Sequence, residues 1–148
     1  MRILTDTNIL LRGAQATHAI HPQVVLAVTA LLRQDETLCV TSQVLAEFWV
    51  VATRPIANNG LGLSAVEASR ELDSIEKVFD LLPDNASVYP EWKRLVLRYS
   101  VVGARAHDAR LVAAMKVHGV TAILTLDEAD FARYSEIRII HPKDVVTP

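Results

Sequence analysis

A single cysteine, Cys39, among 148 residues leaves no internal disulfide framework and no cysteine-rich zinc site. Nowhere does an uninterrupted apolar run approach the ~18 residues of a membrane span. The opening Met1-Arg2-Ile3-Leu4-Thr5-Asp6 reaches an acid after the short apolar pair Ile3-Leu4, too soon for the apolar core of a secretory leader. No repeat, Gly/Ser linker or like-charge block interrupts the chain. These absences predict one soluble domain over residues 1–148, without a membrane partner, in a reducing cytoplasm. Composition agrees: 51% hydrophobic and 22% charged residues exclude a disordered chain. A chain of this length buries roughly 70% of its unfolded surface, enough for a core without covalent staples.

The formal charge is −2, from 17 acidic residues against 15 Lys plus Arg, which argues against a surface that grips nucleic acid all over. It leaves a local basic strip open. Residues 64–91 carry seven acids against Arg70 and Lys77, whereas residues 91–118 carry six bases against Glu91 and Asp108. This asymmetry has two readings: solvated helix faces that attract each other, or a strip that faces phosphate.

Short runs rich in β-formers alternate with longer stretches at helical spacing, the pattern of an α/β fold with a parallel sheet covered by helices. Strands are predicted at Ile3–Thr5, Leu38–Val40, Ala122–Leu124 and Arg138–Ile140, and Leu81-Leu82 reads as a short buried piece ended by Pro83. Helices are predicted over His21–Arg33, from Thr41 or Ser42 to Thr53, from a Ser64 cap to Phe79, over Glu91–Tyr99 and Ala106–His118, with a helical turn at Glu128–Ala132. Asn58-Asn59-Gly60-Leu61-Gly62 is the clearest loop.

Four acids stand where acids need an explanation. Asp6 closes an apolar strand, at the carboxyl edge where α/β folds place their ligand crevice, although it or Asn8 also suits the cap of a short following helix. Glu47 is the only charged residue from Ser42 to Thr53, and it calls for compensation by a buried partner such as Arg54 or by a cation. Asp108 begins the stripe Asp108, Leu111, Val112, Met115 on its helix, with complementarity to the helix dipole as the plainer reading. Asp127 follows Ala122-Ile123-Leu124 as Asp6 follows Ile3-Leu4, and Asp130, three residues on, can face the same way; a simple cap is again the alternative for Asp127.

Carboxylates converging on one sheet edge repel and become partly protonated unless a counter-charge is present. A divalent cation supplies it, and an all-oxygen donor set selects Mg²⁺ or Mn²⁺ over zinc. No histidine pair has zinc-ligand spacing, so His18 and His21 read as exposed or packing residues. His107 reads as structural, with proton transfer or phosphate contact as its second reading.

The ordered set Ile3-Leu4-Thr5-Asp6-Thr7-Asn8, Ser42-(four residues)-Glu47-Phe48, His107-Asp108-Ala109-(two residues)-Val112-Ala113-Ala114 and Ile123-Leu124-Thr125-Leu126-Asp127-Glu128-Ala129-Asp130-Phe131 resembles the PIN-domain nucleases, most of all the VapC-type toxins of toxin–antitoxin pairs. The resemblance runs from Arg2 to about Pro142. It implies a twisted parallel sheet of about five strands with helices on both faces and an acidic Mg²⁺ or Mn²⁺ site at its carboxyl edge. Asp6, Glu47, Asp108 and Asp127 match the acidic quartet; Asp6, Asp108 and Asp127, with Asp130 through water, match the metal set; Asn8 and Thr125 match supporting polar positions. Leu126 departs from the family pattern, where this position is often polar, and Asp127, Glu128 and Asp130 all compete for the fourth acid.

The implied activity is metal-dependent hydrolysis of RNA phosphodiester bonds, on an unpaired strand that reaches an acidic pocket more easily than a duplex does. Arg12, Arg54, Arg105 and Arg110 lie near the motifs and are the candidates for phosphate contact. The implied partners are a small antitoxin and a second copy of the chain. Two other classes compete: a non-catalytic RNA-binding or assembly protein on the same fold, and a haloacid-dehalogenase-type phosphatase. The phosphatase wants a second Asp two residues after its nucleophile, where this chain has Asn8.

Overall fold

In the computed structural model, which describes residues 1–146, β1 (Arg2–Thr5) is the central strand of a five-stranded sheet. It is flanked on one side by β2 (Thr37–Thr41) and β3 (Asp80–Leu82), on the other by β4 (Ala122–Leu124) and β5 (Arg138–Ile140). Every pairing is parallel, with Leu4 opposite both Cys39 and Ile123. A parallel sheet covered on both faces needs strands apolar on both faces, and Ile3, Leu4, Leu38, Val40, Ile123 and Leu124 are all buried.

Successive strand residues feed opposite halves of the core. Ile3, Leu38 and Leu124 pack with Val24 and Leu31 of α2 (His21–Arg33) and with Val145 of α8 (Pro142–Val146). Leu4, Cys39 and Ile123 pack with α3 (Ser42–Thr53), α5 (Val88–Arg98) and α6 (Arg105–His118) through Phe48, Leu95 and Val112. α1 (Thr7–Ala14) contributes Ile9 to one half and Leu10 and Leu11 to the other, and α4 (Ala65–Val78) joins the second half through Ala68 and Ile75.

Local chemistry sets the helix starts. Thr41 caps α3 through its hydroxyl, which accepts the Val44 N–H at 3.2 Å. Ser64 and Glu67 form a reciprocal capping box at α4. In the loop between these helices Gly60 is obligatory, because a β-carbon there would stand 1.9 Å from the Arg54 carbonyl oxygen.

Three segments differ from their sequence reading. α5 begins at Val88 rather than Glu91, because Pro90 falls within the first turn, where backbone N–H groups have no helical acceptor and proline costs nothing. Residues 80–82 form an edge strand in which Leu82 is buried, as expected, but Leu81 is exposed. Last, the bases of residues 91–118 find their ion pairs nearer than the acids of α4: Arg94 pairs with Glu91 and Glu136, Lys116 with Glu136, and Arg105 with Asp108 and Asp130. No ion pair among the described residues joins these bases to the acids of 67–84.

Candidate active site

The strand order turns at β1: chain connections run outward through β2 and β3 on one side, through β4 and β5 on the other. Elements leaving neighbouring strands therefore diverge to opposite faces, and a crevice opens at their carboxyl ends. Asp6, the first residue past β1, stands there. Its N–H donates to the Leu124 carbonyl at 3.0 Å, extending the β1–β4 ladder by one rung. Its Oδ1 accepts the Thr7 N–H at 2.7 Å and caps α1, while Oδ2 accepts the Thr125 hydroxyl at 2.8 Å and the Asn8 amide at 3.3 Å. The capping role foreseen for Asp6 thus engages only one of its oxygens.

Asp6 is 8% exposed, and burial pushes its carboxyl up from 3.8 to about 6. The hydrogen bonds from Thr125 and Thr7 oppose that rise, whereas the charges of Glu47 and Asp108 add to it. Burial likewise raises Asp108, against the pull of Arg105. Replacing Thr125 by Val removes the strongest hydrogen bond holding Asp6 ionised. Carboxyl titration followed by carbon NMR is expected to show Asp6 displaced further upward, by about one pH unit or more, as a bond to a charged group is worth.

Asn8 ties the two strand ends together. Its Nδ2 is shared among Asp6 Oδ2, Thr125 Oγ1 at 3.3 Å and Asp127 Oδ2 at 3.0 Å, and its Oδ1 accepts the Leu126 N–H at 3.2 Å. An amide in this bridging role cannot act as a second acid two residues from Asp6, which removes the structural basis of a phosphatase mechanism. Leu126 becomes intelligible as well: its backbone serves Asn8, and its side chain packs on the core beneath. Asp127 occupies the cap position of α7 (Glu128–Phe131), yet its side chain makes no capping hydrogen bond and is turned to Asn8.

Glu47 reaches the site from α3. Its Oε2 accepts the Thr7 hydroxyl at 2.9 Å and its Oε1 the Gln43 amide at 3.0 Å, so the compensation comes from neutral donors and not from Arg54. Thr7 and Gln43 are site residues that sequence reasoning missed. Gln43 sits four residues before Glu47 on one helix face, a spacing that offered the signal. Arg105 stands between Asp108 Oδ2 at 3.3 Å and Asp130 Oδ1 at 2.6 Å, so it neutralises acids and does not face open solvent alone.

The other candidates divide between distant helix ends and the neighbourhood of Gln43. Arg12 bonds Gln15 at the far end of α1, and Arg54 forms the far end of α3, where its carbonyl accepts the Gly62 N–H at 2.8 Å. Glu128 pairs with Lys143. His107 is exposed, and its carbonyl accepts from Gln43 at 2.9 Å. Arg110 donates to Gln43 Oε1 at 2.9 Å.

The donor set around Asp6 is all carboxylate, amide and hydroxyl oxygen, the chemistry of a hard divalent cation. As the side chains stand, each acid is held by its own partners, and among the described residues no three His, Cys, Asp or Glu groups close on a common point. Asp6, Glu47 and Asp108 nonetheless feel one another electrostatically.

The chain belongs to the PIN domain family, whose model matches residues 3–137. Its fold is similar to that of VapBC2 from Rickettsia felis, solved with a promoter DNA fragment, at a TM-score of 0.71 and 15% identity over 95% of this chain and 98% of that one. It is also similar to VapBC-1 from nontypeable Haemophilus influenzae, at a TM-score of 0.69 and 12% identity over 97% and 99% of the two chains. A third is Mycobacterium tuberculosis VapC20, described as a toxin that cleaves the sarcin-ricin loop, at a TM-score of 0.66 and 17% identity over 92% and 98%. No curated protein matches the chain in sequence. No helix among the described residues is long and apolar enough to cross a membrane.

Proposed function

We propose that this protein is a metal-dependent ribonuclease acting in the cytoplasm as the toxin of a toxin–antitoxin pair. The observation that carries the reading is Asp6: a desolvated carboxyl at the turning point of the sheet, with Glu47 and Asp108 bearing on it and Asn8 and Thr125 fixing its orientation. A bound Mg²⁺ or Mn²⁺ supplies charge neutralisation at the scissile phosphate and a more acidic water.

Asp6, Asp108 and Asp127 would hold the cation, with Asp130 assisting through water. Glu47, positioned by Thr7 and Gln43, orients the attacking water or adds a ligand. With a cation bound, Arg105, now paired with Asp108 and Asp130, would be free to contact the phosphate, and Arg110, now bonded to Gln43, would contact a neighbouring one. Similar solved structures, a toxin–antitoxin complex from Klebsiella pneumoniae among them, support the partner reading.

The surface that suits an antitoxin is an apolar groove of about 220 Å³ between α1, α2 and α4, lined by Ile9, Leu10, Val24, Val28, Ile75 and Val78. Its apolar lining suits the apolar face of an amphipathic helix. Homodimerisation accompanies this reading and is checked by sedimentation.

The test is incubation of the purified protein with transfer, ribosomal and messenger RNA, with Mg²⁺ or Mn²⁺ and with EDTA. Cleavage is expected in the metal lanes and absent with EDTA, and expression of the chain alone in a bacterial host is expected to stop growth. RNA binding without cleavage in any lane would instead assign the non-catalytic role.

A further inference from the structure

Across Gln43 from the acids, the surface opens into a cavity of about 420 Å³ lined by Asn85, Ala86, Val88, Tyr89, Trp92 and Arg110. Its lining holds a cation and two aromatic rings and no acid. Tyr89 is 64% exposed although it is among the larger side chains of the molecule. Its ring lies stacked on Trp92, with centroids 5.9 Å apart and planes inclined by 28°. Trp92 is itself pinned, since its Nε1–H donates to the Ala106 carbonyl at 2.9 Å, which ties α5 to the start of α6. The result is a rigid aromatic shelf with one face open. Lys93, one helical turn beyond Tyr89, is also exposed.

This shelf is coupled to the acids by a single side chain. Gln43 accepts from Arg110 at 2.9 Å through Oε1 and donates to Glu47 at 3.0 Å through Nε2. Arg110 thus borders the shelf and bonds the residue that positions Glu47.

We propose that the Tyr89–Trp92 shelf with Arg110 is a subsite for one unpaired nucleobase of the RNA strand, stacked on the open face of Tyr89 with its phosphate toward Arg110. This inference rests on the ribonuclease reading above. The charge pattern selects the occupant. Aromatic faces beside a guanidinium, in a lining free of carboxylates, complement a π-faced anion, as in other single-strand binders. An apolar protein helix finds its match in the groove at α1, α2 and α4 instead. Stacking tolerates every base, so the subsite contributes affinity and strand register more than sequence choice.

The test uses the full-length protein with Ca²⁺ in place of Mg²⁺, under conditions where gel analysis shows the RNA intact, and a short single-stranded RNA carrying 2-aminopurine, whose fluorescence falls on stacking. Wild type is expected to bind and quench it. Tyr89→Ala is expected to bind about tenfold more weakly, the size of one lost base stack, and to lose the quench. Tyr89→Phe restores both, and an unchanged thermal midpoint shows that each variant folds. Wild-type affinity and quench in Tyr89→Ala would overturn the subsite. So would a change from dimer to monomer in sedimentation with RNA binding unaltered, which would mark the shelf as a contact between copies. Absence of RNA binding and of RNA cleavage in wild type would overturn the ribonuclease reading itself, and the subsite with it.

Discussion

Asp6→Asn is expected to lower metal-dependent RNA cleavage by on the order of 10³-fold while leaving the fold intact. The substitution keeps the acceptor that caps α1, because an amide oxygen takes the Thr7 N–H as the carboxylate Oδ1 does. It removes the negative charge that a cation needs at the centre of the crevice. It also places an NH₂ where the Thr125 hydroxyl and the Asn8 amide now donate, which loosens the clip between β1 and β4. Single-turnover cleavage of the most susceptible RNA, read beside the thermal midpoint, separates loss of chemistry from loss of structure. Cleavage within a few-fold of wild type would remove Asp6 from the site. Asp108→Asn is expected to behave alike, with RNA affinity retained or improved.

Stability and activity are expected to respond to pH in opposite directions. Asp6 titrates at about 6 in the fold against 3.8 in an unfolded chain, so between these values the folded state holds a proton that the unfolded state has released. Stability contributed by that proton is present at low pH and is lost as pH rises through the window, up to about 3 kcal/mol at neutrality. Burial moves Asp108 in the same direction. Urea unfolding of the metal-free protein between pH 4 and pH 7 is expected to show this fall, and Asp6→Asn to lack most of it. Divalent cation restores the loss, because it binds the ionised carboxylates of the fold and not the dispersed ones of the open chain. Cleavage runs the other way, falling by about tenfold per pH unit below pH 6 as Asp6 is protonated, with the fall displaced to lower pH by more metal. A pH-independent difference between wild type and Asp6→Asn would contradict the assignment.

The two results describe one trade: a carboxylate kept out of water costs stability so that it is available to a cation. Asn8 and Thr125 limit that cost without a full charge, and Arg105 provides one for Asp108 and Asp130. The basic side chain nearest the acids is thus already engaged, and RNA or metal competes with it.

Much of this was legible from residues alone. Ile3-Leu4-Thr5-Asp6 and Ile123-Leu124-Thr125-Leu126-Asp127 repeat one theme, an apolar strand closed by an acid, and the strands proved to be neighbours with those acids at the same edge. Thr41 and Ser64 announced their helices because capping is a contact between residues two or three apart. The start of α5 was read too late, since the first turn of a helix accommodates Pro90. For the arginines, sequence placed the residues but not their surroundings. Nearness to a motif in sequence says nothing about which end of an element faces the crevice, so Arg12 and Arg54 lie at the far ends of α1 and α3.

The sequence by itself determined the α/β class and the place of four of the five strands, and singled out the acids that call for a partner, because hydrophobic period, capping and the cost of an uncompensated carboxylate are local properties. Tertiary structure decided the long-range polar partners of those acids. The bonds of Asn8 to Asp127, Thr7 to Glu47 and Thr125 to Asp6 each join residues at least 40 positions apart. Such pairs are fixed by strand order and helix packing, on which the order of residues along the chain is silent.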